Sequence, residues 1–269
     1  MEKKEIIREL NKKLKGAIEK NLPKEKNIGV LFSGGIDSSL IAFLLKKTDK
    51  NIFCFSSALN EKTFSEAKDF SASKVVAKKY DLPLEISTIR IEEMEEIIKK
   101  IMKIIQSKNV VKIGVAIPIY LSIRKAASQG IKNLMSGIGS EEIFAGYERH
   151  AQAKDINEEC RIGLANIRER DLDRDNAIAE HFGTNLFTPL LDKELVEFAL
   201  KIPGKYKIKK GENKLILRES AIELGLDHDT AMRKKIGAQY GSGFDKGIQK
   251  LAKMRGFKYK SEYLSSLNK

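Results

Sequence analysis

The sequence has 269 residues, 42% hydrophobic and 7% aromatic, enough apolar material for a large folded unit and too much for a disordered chain. Its 50 Lys and Arg exceed its 37 Asp and Glu, for a formal charge of +13, which suits a protein that handles anions and equally suits a surface laced with ion pairs. No apolar run approaches the roughly 20 residues of a membrane span, the lysine- and glutamate-rich start carries no leader-like stretch, and Cys54 and Cys160 are too few for a disulfide framework or a zinc site, so reduced, buried thiols and a cytoplasmic location are expected.

Along the chain, Ile6, Ile7, Leu10, Leu14 and Ile18 repeat at helical spacing, and Pro23 closes that helix. Residues 28–32 form a short apolar run ending in Ser33-Gly34-Gly35, with a second apolar segment at 40–45. This reads as strand, glycine turn, helix. A strand at 51–55, a helix over 65–80 and a strand at 84–89 follow. Met94, Ile97, Ile98, Ile101, Met102 and Ile105 then fall on one helical stripe. A helix over 116–129 leads to a strand at 131–135, which ends in Ser136-Gly137-Ile138-Gly139-Ser140. Beyond about residue 151 helical stripes replace strands, as at Cys160, Leu164 and Ile167, then Leu195, Val196, Ala199 and Leu200. Lysines 258, 260 and 269 suggest a loose end.

Alternation of strand and helix implies α/β architecture with a doubly wound parallel sheet and a helical C-terminal subdomain. The expected organisation is an N-terminal helix (1–24), a core of alternating strands and helices (25–150), a helical part (151–255) and a basic tail (256–269).

The first turn, Ser33-Gly34-Gly35-Ile36-Asp37-Ser38-Ser39, joins a strand end to a helix start. Glycines let an anion approach the backbone. The helix supplies unpaired N–H groups and the positive end of its dipole. Asp37 repels phosphate unless it holds a cation, and Mg²⁺ bridging phosphate oxygens explains it. Helix capping by Asp37 is the bland alternative. No Gly-Lys-Ser/Thr follows, so the turn is not of Walker type. In the second turn, Glu141 and Glu142 follow Ser140; they either complement a helix dipole or share a metal–nucleotide complex with Asp37.

The first turn resembles the pyrophosphate loop of the N-type ATP pyrophosphatases, Ser-Gly-Gly-x-Asp-Ser, which implies the adenine nucleotide alpha hydrolase-like (PP-loop) fold. The second, Ser136 to Tyr147, resembles the second signature of asparagine synthetases. Further echoes are Pro118-Ile119-Tyr120-Leu121 with Arg124, Phe187-Thr188-Pro189-Leu190-Leu191-Asp192, Asn213-Lys214-Leu215-Ile216-Leu217-Arg218 and Arg233-Lys234-Lys235. The resemblance implies an ATP- and Mg-dependent, AMP-forming amidoligase. It would activate a carboxylate, aspartate by default, as an acyl-adenylate for attack by ammonia or an amine. It places ATP at Leu31, Ser33, Gly34, Gly35, Asp37, Ser38, Ser39, Ser56, Ser57, Ser136 and Gly137, with metal on Asp37 and Glu141. Lys235, Lys214 and Arg218 are the expected catalytic cations. Lys214 and Arg218, four apart, are expected on one helix face. Ile138, Glu142, Tyr147 and His150 are expected around the substrate pocket.

Two departures mark the chain. The family's glutamate between the signature glycines is Ile138, which can neither accept a proton nor orient ammonia. In this it resembles the divergent asparagine synthetase domain-containing branch. Position 2 is Glu2, not the cysteine nucleophile of a glutaminase domain, so ammonia is expected free or from a separate glutaminase subunit, or the nucleophile is another amine. A homodimer is compatible with this reading. Two other readings stand beside it. One is a non-catalytic nucleotide-binding or regulatory module, which Ile138 favours. The other is a PP-loop tRNA-modifying enzyme, which only the positive charge favours.

Overall fold

The computed structural model describes residues 2–60, 68–209, 211–234 and 242–267. The elements in chain order are α1 (Lys3–Lys20), β1 (Asn27–Leu31), α2 (Ile36–Leu45), β2 (Asn51–Leu59), α3 (Lys68–Lys79), β3 (Leu84–Ile89), α4 (Ile91–Ile105), α5 (Val110–Ser128) and β4 (Asn133–Met135). There follow α6 (Ser140–Ile143), α7 (Glu148–Gln152), α8 (Ile156–Ala165), a π-helical turn (Arg168–Leu172), α9 (Asp173–His181), β5 (Asn185–Phe187) and a 3-10 turn (Pro189–Leu191). The remainder is α10 (Lys193–Ala199), α11 (Gly204–Lys207), α12 (Leu215–Glu223), α13 (His228–Met232), α14 (Phe244–Met254) and α15 (Lys260–Ser266). Among the described residues no helix is long and apolar enough to cross a membrane.

The strands form one five-stranded sheet ordered β3-β2-β1-β4-β5, every pair parallel. The α/β class expected from the alternation is therefore present. Parallel strands are buried on both faces and need helices on each. On one side Ile6, Leu10 and Leu14 of α1, Leu40 and Ile41 of α2, Leu195 of α10 and Ile216 of α12 form a continuous core. On the other, Met94, Ile98 and Ile101 of α4, Ile113 and Leu121 of α5, and Ile248 of α14 form a second. The strand order reverses between β1 and β4, and open parallel sheets bind ligands outside the strand ends at such a point.

Three differences from the sequence reading have local causes. The helix expected over 116–129 starts earlier, at Val110, because Asn109 caps it: Asn109 Oδ1 accepts from the N–H groups of Val111 and Lys112 at 2.9 and 3.0 Å. Strand β5 was not expected; three residues give no readable period, and its pairing of Leu186 with Leu134 comes from the tertiary fold. The expected loose basic tail contains α15, whose Tyr263 and Leu264 are fully buried. Lys260 Nζ reaches Asp245 Oδ1 at 2.5 Å and Tyr263 donates to Glu95 at 3.1 Å, so tertiary partners order a segment that composition marks as polar.

Both cysteines are free and buried, and burial pushes the Cys54 thiol up to about 12. Lys207 is also fully buried; its ammonium donates to Cys160 Sγ at 3.9 Å. Burial lowers its pKa from 10.5 to about 8. Folding therefore opposes the charged lysine at neutral pH, and the opposition fades as pH rises from about 8 through 10.5. Lys207→Met is expected to be more stable than the parent at pH 7 by about 2 kcal/mol, with the gap closing toward pH 10.5. Thermal denaturation across that range checks this; a variant less stable at pH 7 would refute it.

Candidate functional site

The first turn leaves the sheet directly. Phe32 N–H donates to Phe55 O at 2.8 Å, one step beyond the β1–β2 ladder. Gly34 then has φ +69, and a Cβ there would lie 2.7 Å from the Ala72 carbonyl carbon. Only glycine fits a left-handed residue pressed against another backbone. Ser33 N–H donates to Ser38 Oγ and Gly35 N–H to Ser33 Oγ, both at 3.2 Å, so hydroxyl oxygens satisfy two of the loop's amides. No side chain caps the N-terminus of α2. The buried Ser39 hydroxyl has no hydrogen-bond partner among the described residues. An anion seated on the first turn of α2 would accept from both.

The second turn leaves β4 beside it. Ser136 N–H donates to Phe187 O at 2.9 Å. Gly139 has φ +98, and a Cβ on it would lie 2.4 Å from Leu191 Cδ2. A Cβ on Gly137 would meet Asp37 Cβ at 2.8 Å. The two turns thus touch through a position that tolerates no side chain.

Lys214 joins them. It precedes α12 in the left-handed conformation, φ 58, and its side chain is 2% exposed. Its Nζ lies 2.7 Å from Asp37 Oδ2 and 2.7 Å from Ser140 Oγ, and it also contacts Glu141 Oε1. Ser140 Oγ donates in turn to Asp37 Oδ1. Burial alone would lower the Lys214 pKa, but the carboxylates of Asp37 and Glu141 outweigh it and hold the ammonium above its ordinary value. Gly146 makes room for the group: a Cβ there would lie 1.7 Å from Glu141 Oε2 and 2.4 Å from Lys214 Cε. Asn213 Nδ2 donates to Gly146 O at 3.2 Å.

Of the expected residues, Asp37, Gly137, Glu141 and Lys214 meet at this point, with Ser38 and Ser39 on the same turn of α2. Leu31 ends β1 opposite Phe55, and buried Ser56 and Ser57 follow on β2, where Ser57 donates to Pro118 O at 3.0 Å. The expectation that Lys214 and Arg218 share a helix face needs correction, because Lys214 lies outside α12 and only Arg218 is helical. Arg218 donates to the carbonyls of Asn213 (2.9 Å), Ala231 (2.5 Å) and Arg233 (3.0 Å), so it braces backbone. Lys235 lies outside the described residues.

Glu142, Tyr147 and His150 form a neighbouring group, separate from the Lys214 contacts. Glu142 is buried and paired with Arg170; burial raises its carboxyl above the usual range despite that guanidinium. Tyr147 carries Arg149 at 4.3 Å and Arg170 at 5.4 Å over its ring. His150 is fully buried, accepts from Tyr147 N–H through Nδ1 at 3.1 Å, and burial lowers its pKa. Ile138 is half-buried in the second turn.

Sequence reasoning missed three contributors. Ser140 was visible within the motif but given no role. Arg170, on the π-helical turn, reaches Glu142 across 28 positions with no local signal. Arg233 was one of three adjacent cations; its Nε donates to Gly34 O at 3.1 Å and its Nη2 to Ser33 O at 3.3 Å.

The donor set also bears on a metal. Among the described residues no group of three or more His, Cys, Asp or Glu could hold an ion. The carboxylates of Asp37 and Glu141 nevertheless converge on one point from two loops. Two hard oxygen ligands beside an anion site fit a Mg²⁺ ion that takes its remaining ligands from phosphate and water, and do not fit an all-protein cage.

The chain is similar to known proteins over most of its length. The asparagine synthase family model matches residues 9–161 and 150–260. A putative glutamine-hydrolyzing asparagine synthetase 1 of Methanocaldococcus jannaschii is 32% identical over 97% of this chain and 54% of its own length. A probable glutamine-hydrolyzing asparagine synthetase of Schizosaccharomyces pombe is 29% identical over 87% of this chain and 47% of its own. Asparagine synthetase B of Escherichia coli, also glutamine-hydrolyzing, is 28% identical over 88% and 45%. The chain spans about half the length of these relatives. Agreement over nearly the whole sequence, through both glycine turns, makes this chain a member of the asparagine synthase family.

Proposed function

We propose that the chain is an ATP- and Mg-dependent carbon–nitrogen ligase that forms AMP and pyrophosphate. A carboxylate oxygen, of aspartate by default, attacks the α-phosphorus of ATP and pyrophosphate leaves. Ammonia or an amine then attacks the acyl carbon, loses a proton, and AMP departs. The observation that carries this reading is the meeting of two strand-end turns on Lys214, beside an uncapped helix N-terminus and an unpartnered Ser39 hydroxyl. Family membership supports the reaction class.

In this reading Ser33, Gly34, Gly35, Ser38 and Ser39 receive the phosphates, and the loop hydroxyls now on Ser33 and Gly35 N–H yield to phosphate oxygens. Leu31, Ser56, Ser57, Ser136 and Gly137 flank the nucleotide. Asp37 and Glu141 hold Mg²⁺, which supplies charge neutralisation for the triphosphate when bound. Lys214 and Lys235 offset charge on the departing pyrophosphate. Arg218 and Arg233 keep the backbone of both segments in register. Ile138, Glu142, Tyr147 and His150 border the acceptor side. The nitrogen source is free ammonia, an amine or a separate glutaminase subunit.

Ile138 favours a second reading, a nucleotide-binding module without turnover. Pyrophosphate release assayed with ATP, Mg²⁺, aspartate and ammonium, omitting each in turn, separates the two. Aspartate-dependent release supports the ligase; ATP binding with no release supports the module. Asp37→Asn is expected to lower release by about 10²-fold or more, and full activity in that variant would remove Asp37 from the site. Gly146→Ala forces Glu141 and Lys214 apart, so it too should lose about 10²-fold. Its control is Gly16→Ala in α1, where nothing lies within 4 Å of the added carbon. That change should leave release unaltered and raise stability by about 1 kcal/mol.

A further inference from the structure

We propose that the Lys214 ammonium is the resident cation of the Asp37–Glu141 pair, so that a divalent ion takes the site only together with phosphate oxygens that accept the displaced ammonium. This rests on the metal–nucleotide reading above, but it concerns how the site is loaded and is tested without turnover.

The geometry gives the ammonium the place an ion would need. Nζ sits 2.7 Å from Asp37 Oδ2 and also contacts Glu141 Oε1, one oxygen from each turn. Ser140 Oγ, 2.7 Å from Nζ, closes the third side and donates to the other Asp37 oxygen. A divalent ion bound to the same two carboxylates would lie within a few Å of Nζ, where two cations repel strongly in a partly buried setting. Sharing the site is therefore unfavourable, and one cation must move.

Lys214 is placed by the fold. Its backbone is left-handed at φ 58. Arg218 N–H donates to Lys214 O at 3.0 Å, and Arg218 Nε fixes the preceding carbonyl of Asn213 at 2.9 Å. Asn213 is tied to Gly146 O at 3.2 Å. The side chain is 2% exposed, against 21% for Asp37 and 12% for Glu141, so the solvent side of the cluster belongs to the carboxylates. A displaced ammonium needs a new anion, and the phosphate loop lies on the same side through Asp37. Triphosphate provides that anion and the ion provides the charge Asp37 and Glu141 lose. Metal and nucleotide binding are then positively coupled, each strengthening the other by the same factor. The lysine also keeps the two turns together in the nucleotide-free protein.

Mn²⁺ binding to the nucleotide-free protein, followed by electron paramagnetic resonance and calorimetry, tests this. The parent protein should bind Mn²⁺ alone with Kd weaker than about 1 mM. Lys214→Gln keeps a donor for Ser140 and removes only the charge; Lys214→Met removes both. Each should bind Mn²⁺ about tenfold or more tightly than the parent, and adding Glu141→Gln to either should abolish the gain. Equal or weaker Mn²⁺ binding in folded variants would overturn the proposal, as would a gain that survives Glu141→Gln. Should neither variant fold, the parent protein decides: Mn²⁺ binding near or below about 10 µM without nucleotide overturns the proposal, and millimolar binding that tightens when a non-hydrolysable ATP analogue is present supports it. A chain that releases no pyrophosphate yet shows the Mn²⁺ gain would refute the ligase and keep this inference.

Discussion

A buried ammonium shared between two carboxylates holds the functional end of this molecule together. Lys214 stands 177 positions from Asp37 and 73 from Glu141, so its contacts tie together segments far apart in the chain. Desolvating three charges is expensive, and only dense pairing offsets it. Ser140 supplies part of that pairing by accepting from the lysine and donating to Asp37. Removing any member strands a charge in a region of low dielectric, which typically costs about 3–5 kcal/mol. Gly137 and Gly146 are glycine for the same reason: the cluster occupies the volume their side chains would need.

The surrounding arginines act on the backbone. Arg233 donates to two carbonyls of the first turn and Arg218 to three carbonyls around α12 and α13. A guanidinium presents several donors in a fixed plane, so one side chain can set several peptide orientations. With carbonyls held to the arginine side, the amides of Ser33 and Gly35 are left to the loop's hydroxyls. The loop's conformation is thus set by the chain's own hydrogen bonds. Positive charge here serves architecture. Much of the rest lies on the surface in ion pairs such as Lys13–Glu194 and Lys100–Glu96.

Behind the second turn, buried Glu142 is tied to Arg170, and Tyr147 stacks on His150 with ring centroids 5.8 Å apart. Arg170 comes from a π-helical turn, a local irregularity found often near functional sites. This group forms a buried polar cluster behind the second turn. Ile138 adds an apolar element where the family places a carboxylate.

The glycine turns, the strand–helix alternation and the acids at 37 and 141 were legible in the sequence, because each is local: a strand end, a left-handed residue and a helix start lie within a few positions. Periodicity found the amphipathic α4 for the same reason. Strand β5, with three residues, and the ordered end at Tyr263 were not legible, since their stability comes from partners elsewhere in the chain. Residue type alone made Lys214 and Arg218 look alike, four apart and both cationic. The tertiary structure separated them, turning one toward carboxylates and the other toward carbonyls. The sequence by itself determined which chemical groups stand at the two strand ends, because covalent neighbours set those turns. Only the folded chain decided which cation meets which anion, because that depends on packing between segments brought together across the sheet.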